Sequence, residues 1–187
     1  MKLFTKLFTK ERLLPLSLTA FILTLDQITK AIIANNWPID RYNVIAQVFG
    51  NDFLQIIHVR NPAIAFSMGN GLPDMIKPFL FIVVPILVLG FLIWYYFKTS
   101  EFTFVQRWAA AGIIGGGLGN ITDRIFRTEG VVDFIDVKFY GIFGWDRWPT
   151  FNVADSSVVV CSILLLFTMF FTFKKKETEP EKEIPNG

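Results

Sequence analysis

Four long apolar runs dominate this chain of 187 residues: Leu13 to Ala34, Met75 to Phe97, Trp108 to about Ile121, and Val153 to Phe173. A helix needs roughly 20 such residues to cross the hydrocarbon core of a bilayer, where every backbone N–H and C=O must be satisfied within the segment. Three runs are long enough as they stand. The third must borrow its polar end, which brings Asp123 and Arg124 close to a membrane surface. With 52% hydrophobic residues and 21 Phe, the chain is too apolar for an ordinary soluble domain. The expected fold is an integral membrane protein, mainly α, with four transmembrane helices (spans about 13–34, 75–97, 107–125 and 153–173). Loops 35–74 and 126–152 should form a small extracytoplasmic β-sheet and loop cap.

Four spans put both termini on one side, together with the loop from Lys98 to Arg107. That side collects Lys2, Lys6, Lys10, Arg12, Lys98, Arg107, Lys174, Lys175, Lys176 and Lys182. The opposite loops mix their bases with Asp40, Asp52, Asp74, Glu129, Asp133, Asp136 and Asp146. The excess of Lys and Arg marks the cytoplasmic side, so both termini are expected in the cytoplasm. Residues 174–187, "KKKETEPEKEIPNG", have the composition of a disordered charged tail. "MKLFTKLFTKER" before the first run has the look of a signal-peptide lead-in. The run, however, is longer than such a segment, carries Asp26 and Lys30 in its far half, and has no small-x-small cleavage site, which favours an uncleaved first span.

The loop between the first two spans contains Val44, Ile45, Val48, Phe53, Ile56, Ile57 and Val59, with a turn signal at Gly50–Asp52. It predicts a small hairpin resting on the outer membrane surface. "DFIDVKFYGIFGWDRWPTF", 133–151, predicts a further strand and then an aromatic segment whose Phe143, Trp145 and Trp148 suit the headgroup layer. The stretch Lys138 to Thr150 is read as a lid or interfacial support.

Polar residues at the outer ends of the spans are the site candidates: Asp26, Gln27 and Lys30; Asn61; Asn120, Asp123 and Arg124; Asp133 and Asp136; Asn152 and Asp155. Ionisable groups at such depth face the bundle interior, paired or functional. Asp26 and Lys30, one helical turn apart, either neutralise each other or take part in chemistry, and the structural role is the stronger reading. Asp123 and Arg124 are read either as a loop ion pair or as part of a site. Gly112, Gly115, Gly116 and Gly119 form small-xxx-small pairs that suit close helix packing. His58, the only histidine, is read as a surface or packing residue and Cys161, the only cysteine, as a packing residue, which leaves a zinc site and an intrachain disulfide without support. Asp133 and Asp155 differ from the rest. Two carboxylates brought together at a low-dielectric surface cannot easily both ionise, so they share a proton and can act on water as acid and base. Their separation in sequence does not by itself establish that they meet.

"DQITK" (26–30), "RNPAIAF" (60–66), "GGGLGNITDR" (115–124), "VVDFIDV" (131–137) and "FNVADS" (151–156) occur in an order and spacing that resembles the lipoprotein signal peptidase family, also called signal peptidase II. The resemblance covers nearly the whole chain apart from the tail. It implies a membrane aspartic endopeptidase of the bacterial cytoplasmic membrane, active near the extracytoplasmic face, which removes the signal peptide from prolipoproteins on the N-terminal side of a lipid-modified cysteine. It implies that Asp133 and Asp155 are catalytic, that Asn61, Asn120, Arg124 and Asn152 line the substrate pocket, and that Asp26 and Lys30, with Asp123, are structural. The implied partners are lipidated prolipoproteins and membrane lipid, with no nucleic acid; a monomer is expected, and no metal or organic cofactor is implied. One motif departs from the pattern: Ala63 and Ile64 stand where glycine and alanine are usual, which adds bulk beside Asn61.

Two rival functions fit a small polytopic protein. A transporter can use intramembrane Asp and Arg for proton coupling, but the acids here cluster at one face and no paired halves with broken helices are visible. A membrane scaffold needs packing glycines and anchors, but not two carboxylates.

Overall fold

The computed structural model describes residues 9–62, 73 and 75–178. Four helices and a three-stranded sheet account for most of them. Helix α1 (Leu16–Asn36) follows a short turn of helix at Lys10–Leu13. Helix α2 (Val84–Lys98) continues a π-helical turn at Phe79–Val83. Pro85 explains that turn, because its missing N–H leaves the preceding i−4 carbonyl without its usual donor and lets the ladder slip. Helix α3 is Phe104–Phe126 and helix α4 is Val153–Thr178. These bounds lie within a few residues of the apolar runs. The largest differences are that α2 begins later than 75 and that α4 runs on to Thr178, into the predicted tail. Residues 179–187, and Ala63 and Ile64, lie outside the described residues.

Among the described residues, three helical segments are long and apolar enough to cross a membrane: Lys10–Asn36, Phe79–Lys98 and Val153–Thr172. Each presents large apolar side chains outward, such as Phe21 and Ile28, Leu87 and Phe91, or Ile163 and Leu166. Such surfaces belong against lipid rather than water. Helix α3 differs for a physical reason. It packs against α1, α2 and α4, so much of its surface meets protein, and small residues (Ala109, Ala110, Ala111, Gly112, Gly115, Gly116) replace lipid-facing bulk.

The packing glycines behave as their spacing predicts. Gly112 lies against Cys161, Gly115 against the Thr19 backbone, and Gly116 against the Ala154 carbonyl. Gly119 matters most for the site: a β-carbon there would come within 2.5 Å of the Asp26 carboxylate and 3.1 Å of the Ala154 side chain.

The sheet has order β1-β2-β3, all antiparallel: β1 (Ala46–Gln47), β2 (Leu54–Asn61) and β3 (Val131–Val137). The predicted hairpin turn is present, with Gly50 at φ +68°. Val132 and Phe134 of β3 pack with Ile33 at the end of α1, which docks the sheet onto the helices. His58 is buried with its Nδ1 2.9 Å from the Trp37 carbonyl oxygen, in keeping with a packing role. Gly130 (φ +96°) makes the turn into β3, where a side chain would collide with the Asn61 carbonyl. Strands β2 and β3 therefore meet closely at Asn61 and Val131.

Candidate active site

The first carboxylate is fixed at a helix N-terminus. Asn152 caps α4: its Oδ1 accepts the Asp155 N–H at 2.9 Å, and the Asp155 Oδ2 accepts the Asn152 N–H at 3.2 Å. This reciprocal pairing is a capping box in which an aspartate takes the place of the usual glutamate. It fixes the Asp155 carboxylate in the first turn of the helix. Asp155 Oδ1 accepts a third bond, from Asn120 Nδ2 of α3, at 2.7 Å.

The second carboxylate comes from β3. Asp133 Oδ1 accepts from Asn152 Nδ2 at 2.7 Å, and Oδ2 accepts from Asn61 Nδ2, at the end of β2, at 3.1 Å. Asn152 is fully buried and bonds both carboxylates, one through its side-chain amide and the other through its backbone. The same Nδ2 lies 3.2 Å from Asn120 Oδ1, which also accepts from Lys30 Nζ at 2.9 Å. Burial, reinforced by the negative charge of Asp155, lifts the Asp133 carboxyl from its ordinary 3.8 to about 7, against the amide donors of Asn61 and Asn152 and the charge of Lys30.

Through Lys30 this pair is linked to an ionic cluster. Lys30 Nζ is 2.8 Å from Asp26 and 3.2 Å from Asp123, and all three side chains are fully buried. Asp123 also pairs with Arg127, one turn further along α3 and only partly buried. Two acids and two bases leave no net charge, the condition under which buried ions are tolerable. Gln27 ties the cluster together, donating to Asp26, Asp123 and the Gly119 carbonyl. Asp26 Oδ1 accepts the Ala154 N–H at 2.9 Å and so joins the cluster to the start of α4, while Asp123 Oδ2 accepts the Val132 N–H at 3.1 Å and joins it to β3.

Most of the polar residues singled out in the sequence are thus brought together, with two corrections. Asp123 pairs with Lys30 and Arg127 rather than with Arg124, because residues one apart on a helix point in different directions while those four apart align. Asp136 does not join the cluster. Three residues beyond Asp133 on a strand, it falls on the opposite face, where it pairs with Arg147 at 2.6 Å. Arg127 was not singled out; its i, i+4 spacing from Asp123 was the available signal. The amides of Asn61, Asn120 and Asn152 are turned onto the carboxylates. Arg124 donates to the Asn120 carbonyl at 3.3 Å and lines a cleft of about 240 Å³ with Asn61, Lys77, Phe81, Arg127 and Gly130 among its walls. The cleft shares Asn61 with the carboxylate network and is edged by three bases, Lys77, Arg124 and Arg127.

Fold and site together define a class: a membrane-embedded helical protein with a carboxylate pair held at the junction of helix and sheet. A family model described as signal peptidase (SPase) II matches residues 18–171. The chain is 41% identical to the lipoprotein signal peptidase of Treponema pallidum over 171 residues, 91% of this chain and 90% of that protein. It is 46% identical to that of Treponema denticola over 154 residues, 82% of this chain and 87% of that protein. Two solved structures described as bacterial membrane enzymes are similar in fold. One has a TM-score of 0.69 at 30% identity, covering 92% of this chain and 94% of that one; the other has 0.65 at 32%, covering 83% and 91%. The chain belongs to the signal peptidase II family and is a peptidase.

Proposed function

We propose that this protein is an aspartic endopeptidase of the bacterial cytoplasmic membrane that removes the signal peptide from lipid-modified prolipoproteins, cutting N-terminal to the lipidated cysteine, with Asp133 and Asp155 as its catalytic pair. One observation carries the assignment: Asn152 binds both carboxylates at once, so helix α4 and strand β3 present them as one unit. The names of the relatives, lipoprotein signal peptidases, support the substrate class.

The roles follow from the environments. Asp133, lifted to about 7, holds the shared proton at rest, while Asp155 sits at a helix N-terminus that favours negative charge. Asp155 takes a proton from water as the water oxygen bonds to the scissile carbonyl carbon, and Asp133 gives its proton to the carbonyl oxygen. Collapse of the tetrahedral intermediate returns that proton to Asp133. The proton held by Asp155 passes to the leaving amine as the C–N bond breaks, which restores the resting pair with one water consumed. Asn61, Asn120 and Asn152 keep the carboxylates in place, and Arg124 faces the cleft to hold the substrate backbone.

All four helices cross the bilayer in this reading, with the sheet as an extracytoplasmic cap and both termini in the cytoplasm. The charge distribution supports it: Arg12, Lys98 and Arg107 lie at the helix ends remote from the carboxylate pair. The site thereby sits at the surface where a lipidated substrate must be met, since each buried methylene holds such a substrate in the bilayer by about 0.8 kcal/mol. Cleavage of a purified lipidated precursor tests the reaction, and its pH profile tests the roles. The rate should fall as pH rises through about 7, where Asp133 loses its proton. No cleavage, or a rate still rising above that pH, overturns the proposal.

A further inference from the structure

The segment after β3 forms a tight hairpin. Phe139 N–H donates to the Asp146 carbonyl at 2.7 Å, Gly141 N–H to the Trp145 carbonyl at 2.9 Å, and Trp148 N–H to the Val137 carbonyl at 2.8 Å. At its tip Tyr140 and Phe143 adopt left-handed backbone conformations at φ 53° and 54°. Bulky residues rarely adopt that conformation, and here it occurs at two of the most exposed side chains, Phe143 at 85% and Tyr140 at 64%. Ile142 and Trp145 are exposed beside them.

The rings continue onto the β1–β2 turn. Tyr140 stacks on Phe53 at 6.4 Å, and Phe53 packs on Phe49, itself exposed, at 6.2 Å. Behind the tip, Phe139 and Trp145 pack on Trp148 at 5.0 and 5.3 Å. Both bases there are paired, Lys138 with Asp52 and Arg147 with Asp136, while Asp146 is exposed beside them. An aromatic slab projects beyond this charged base, an arrangement unfavourable in water.

We infer that this slab is a membrane foot, inserted into the headgroup layer of the outer leaflet, and that it sets the height of Asp133 above the bilayer. The occupant is the phospholipid interface because only four residues, 149–152, separate Trp148 from the first residue of α4, itself able to cross a membrane. Five residue steps span at most about 18 Å, so the base of the hairpin lies near the point where α4 enters lipid. Trp, Tyr and Phe are the side chains suited to that layer. The hairpin continues β3 directly, and Asp133 lies four residues before the end of that strand. The inference rests on α4 crossing the bilayer and does not require the catalytic assignment.

The test places a single cysteine at Phe143→Cys, or separately at Ile142→Cys, in a Cys161→Ala chain. Each variant is labelled with an environment-sensitive fluorophore and reconstituted one copy per phosphatidylcholine nanodisc without substrate, so neither a second copy nor a substrate acyl chain can cover the probe. Blue-shifted emission, lost to headgroup- or shallow-nitroxide lipids and retained in aqueous iodide, is the expected result. Emission lost to iodide and insensitive to nitroxide lipids overturns the inference. Protection from both quenchers also overturns it, since the tip would then be folded onto the protein. The readout is independent of cleavage, so failure of the foot and failure of the proposed peptidase chemistry are told apart.

Discussion

Replacing Asp133 with Asn should make the protein more stable as it becomes inactive, and the gain should depend on pH. The Asp133 carboxyl is raised from 3.8 to about 7 by burial and by the charge of Asp155. An acid with a raised folded-state value keeps its proton in the folded protein after the unfolded chain has released it. Its contribution is therefore most favourable below about 3.8 and is lost progressively as pH rises to about 7. At about 1.36 kcal/mol per pH unit, the gap between those values amounts to about 4 kcal/mol lost by the wild type. Asn does not titrate, and its Oδ1 can still accept from Asn152 or Asn61. Thermal unfolding of both proteins in detergent at a series of pH values reads this directly. The midpoint difference should move in the variant's favour by roughly 10 °C between pH 4 and pH 8. Parallel curves would show that Asp133 is not held in a strained, desolvated state, and the proton assignment would fail with it.

Other perturbations separate support from chemistry. Asp26→Ala removes one partner of the buried Lys30 and the acceptor for the Ala154 N–H; folded yield should drop, by about 3–5 kcal/mol of stability, more than activity per folded molecule does. Normal yield with abolished turnover would instead make Asp26 catalytic. Asn152→Ala should reduce cleavage more than Arg124→Ala, since Asn152 holds both carboxylates while Arg124 lines the cleft; the reverse order in kcat/KM would count against the bridging role. Cysteines placed at Lys98, Lys175 and Asp52 in a Cys161-free chain report topology. An impermeant thiol reagent on intact cells should reach 52 only, and labelling at 98 or 175 would contradict four spans.

The helices were legible because uninterrupted apolar runs admit few alternatives, and the β1–β2 turn because Gly50–Asp52 interrupts two strand-like stretches. The ingredients of the site were legible as well, since polar residues in such surroundings are conspicuous. Their partners were less so. Pairing Asp123 with Arg124 ignored helix geometry, which directs Asp123 toward Arg127 and Lys30. Grouping Asp136 with Asp133 ignored strand alternation. That the asparagine amides turn onto carboxylates depends on the relative placement of α3, α4 and the sheet, which no local pattern records. The aromatic hairpin was visible as composition, but its exposed tip depends on two left-handed residues that the sequence does not announce.

The central claim is that Asp133 and Asp155 act on water as a single unit. Its most direct test is kcat/KM for cleavage of a lipidated precursor by purified Asp133→Asn, Asp155→Asn and the double variant, each at normal folded yield. Each single change should reduce the rate by about 100- to 10,000-fold, and the double change should be hardly worse, because removal of either carboxylate disables the pair. A chelator added to the wild type should leave the rate unchanged, since the oxygens of both carboxylates already face N–H donors from Asn61, Asn120 and Asn152. Substantial cleavage by either single variant, or losses that multiply in the double variant, would contradict the account.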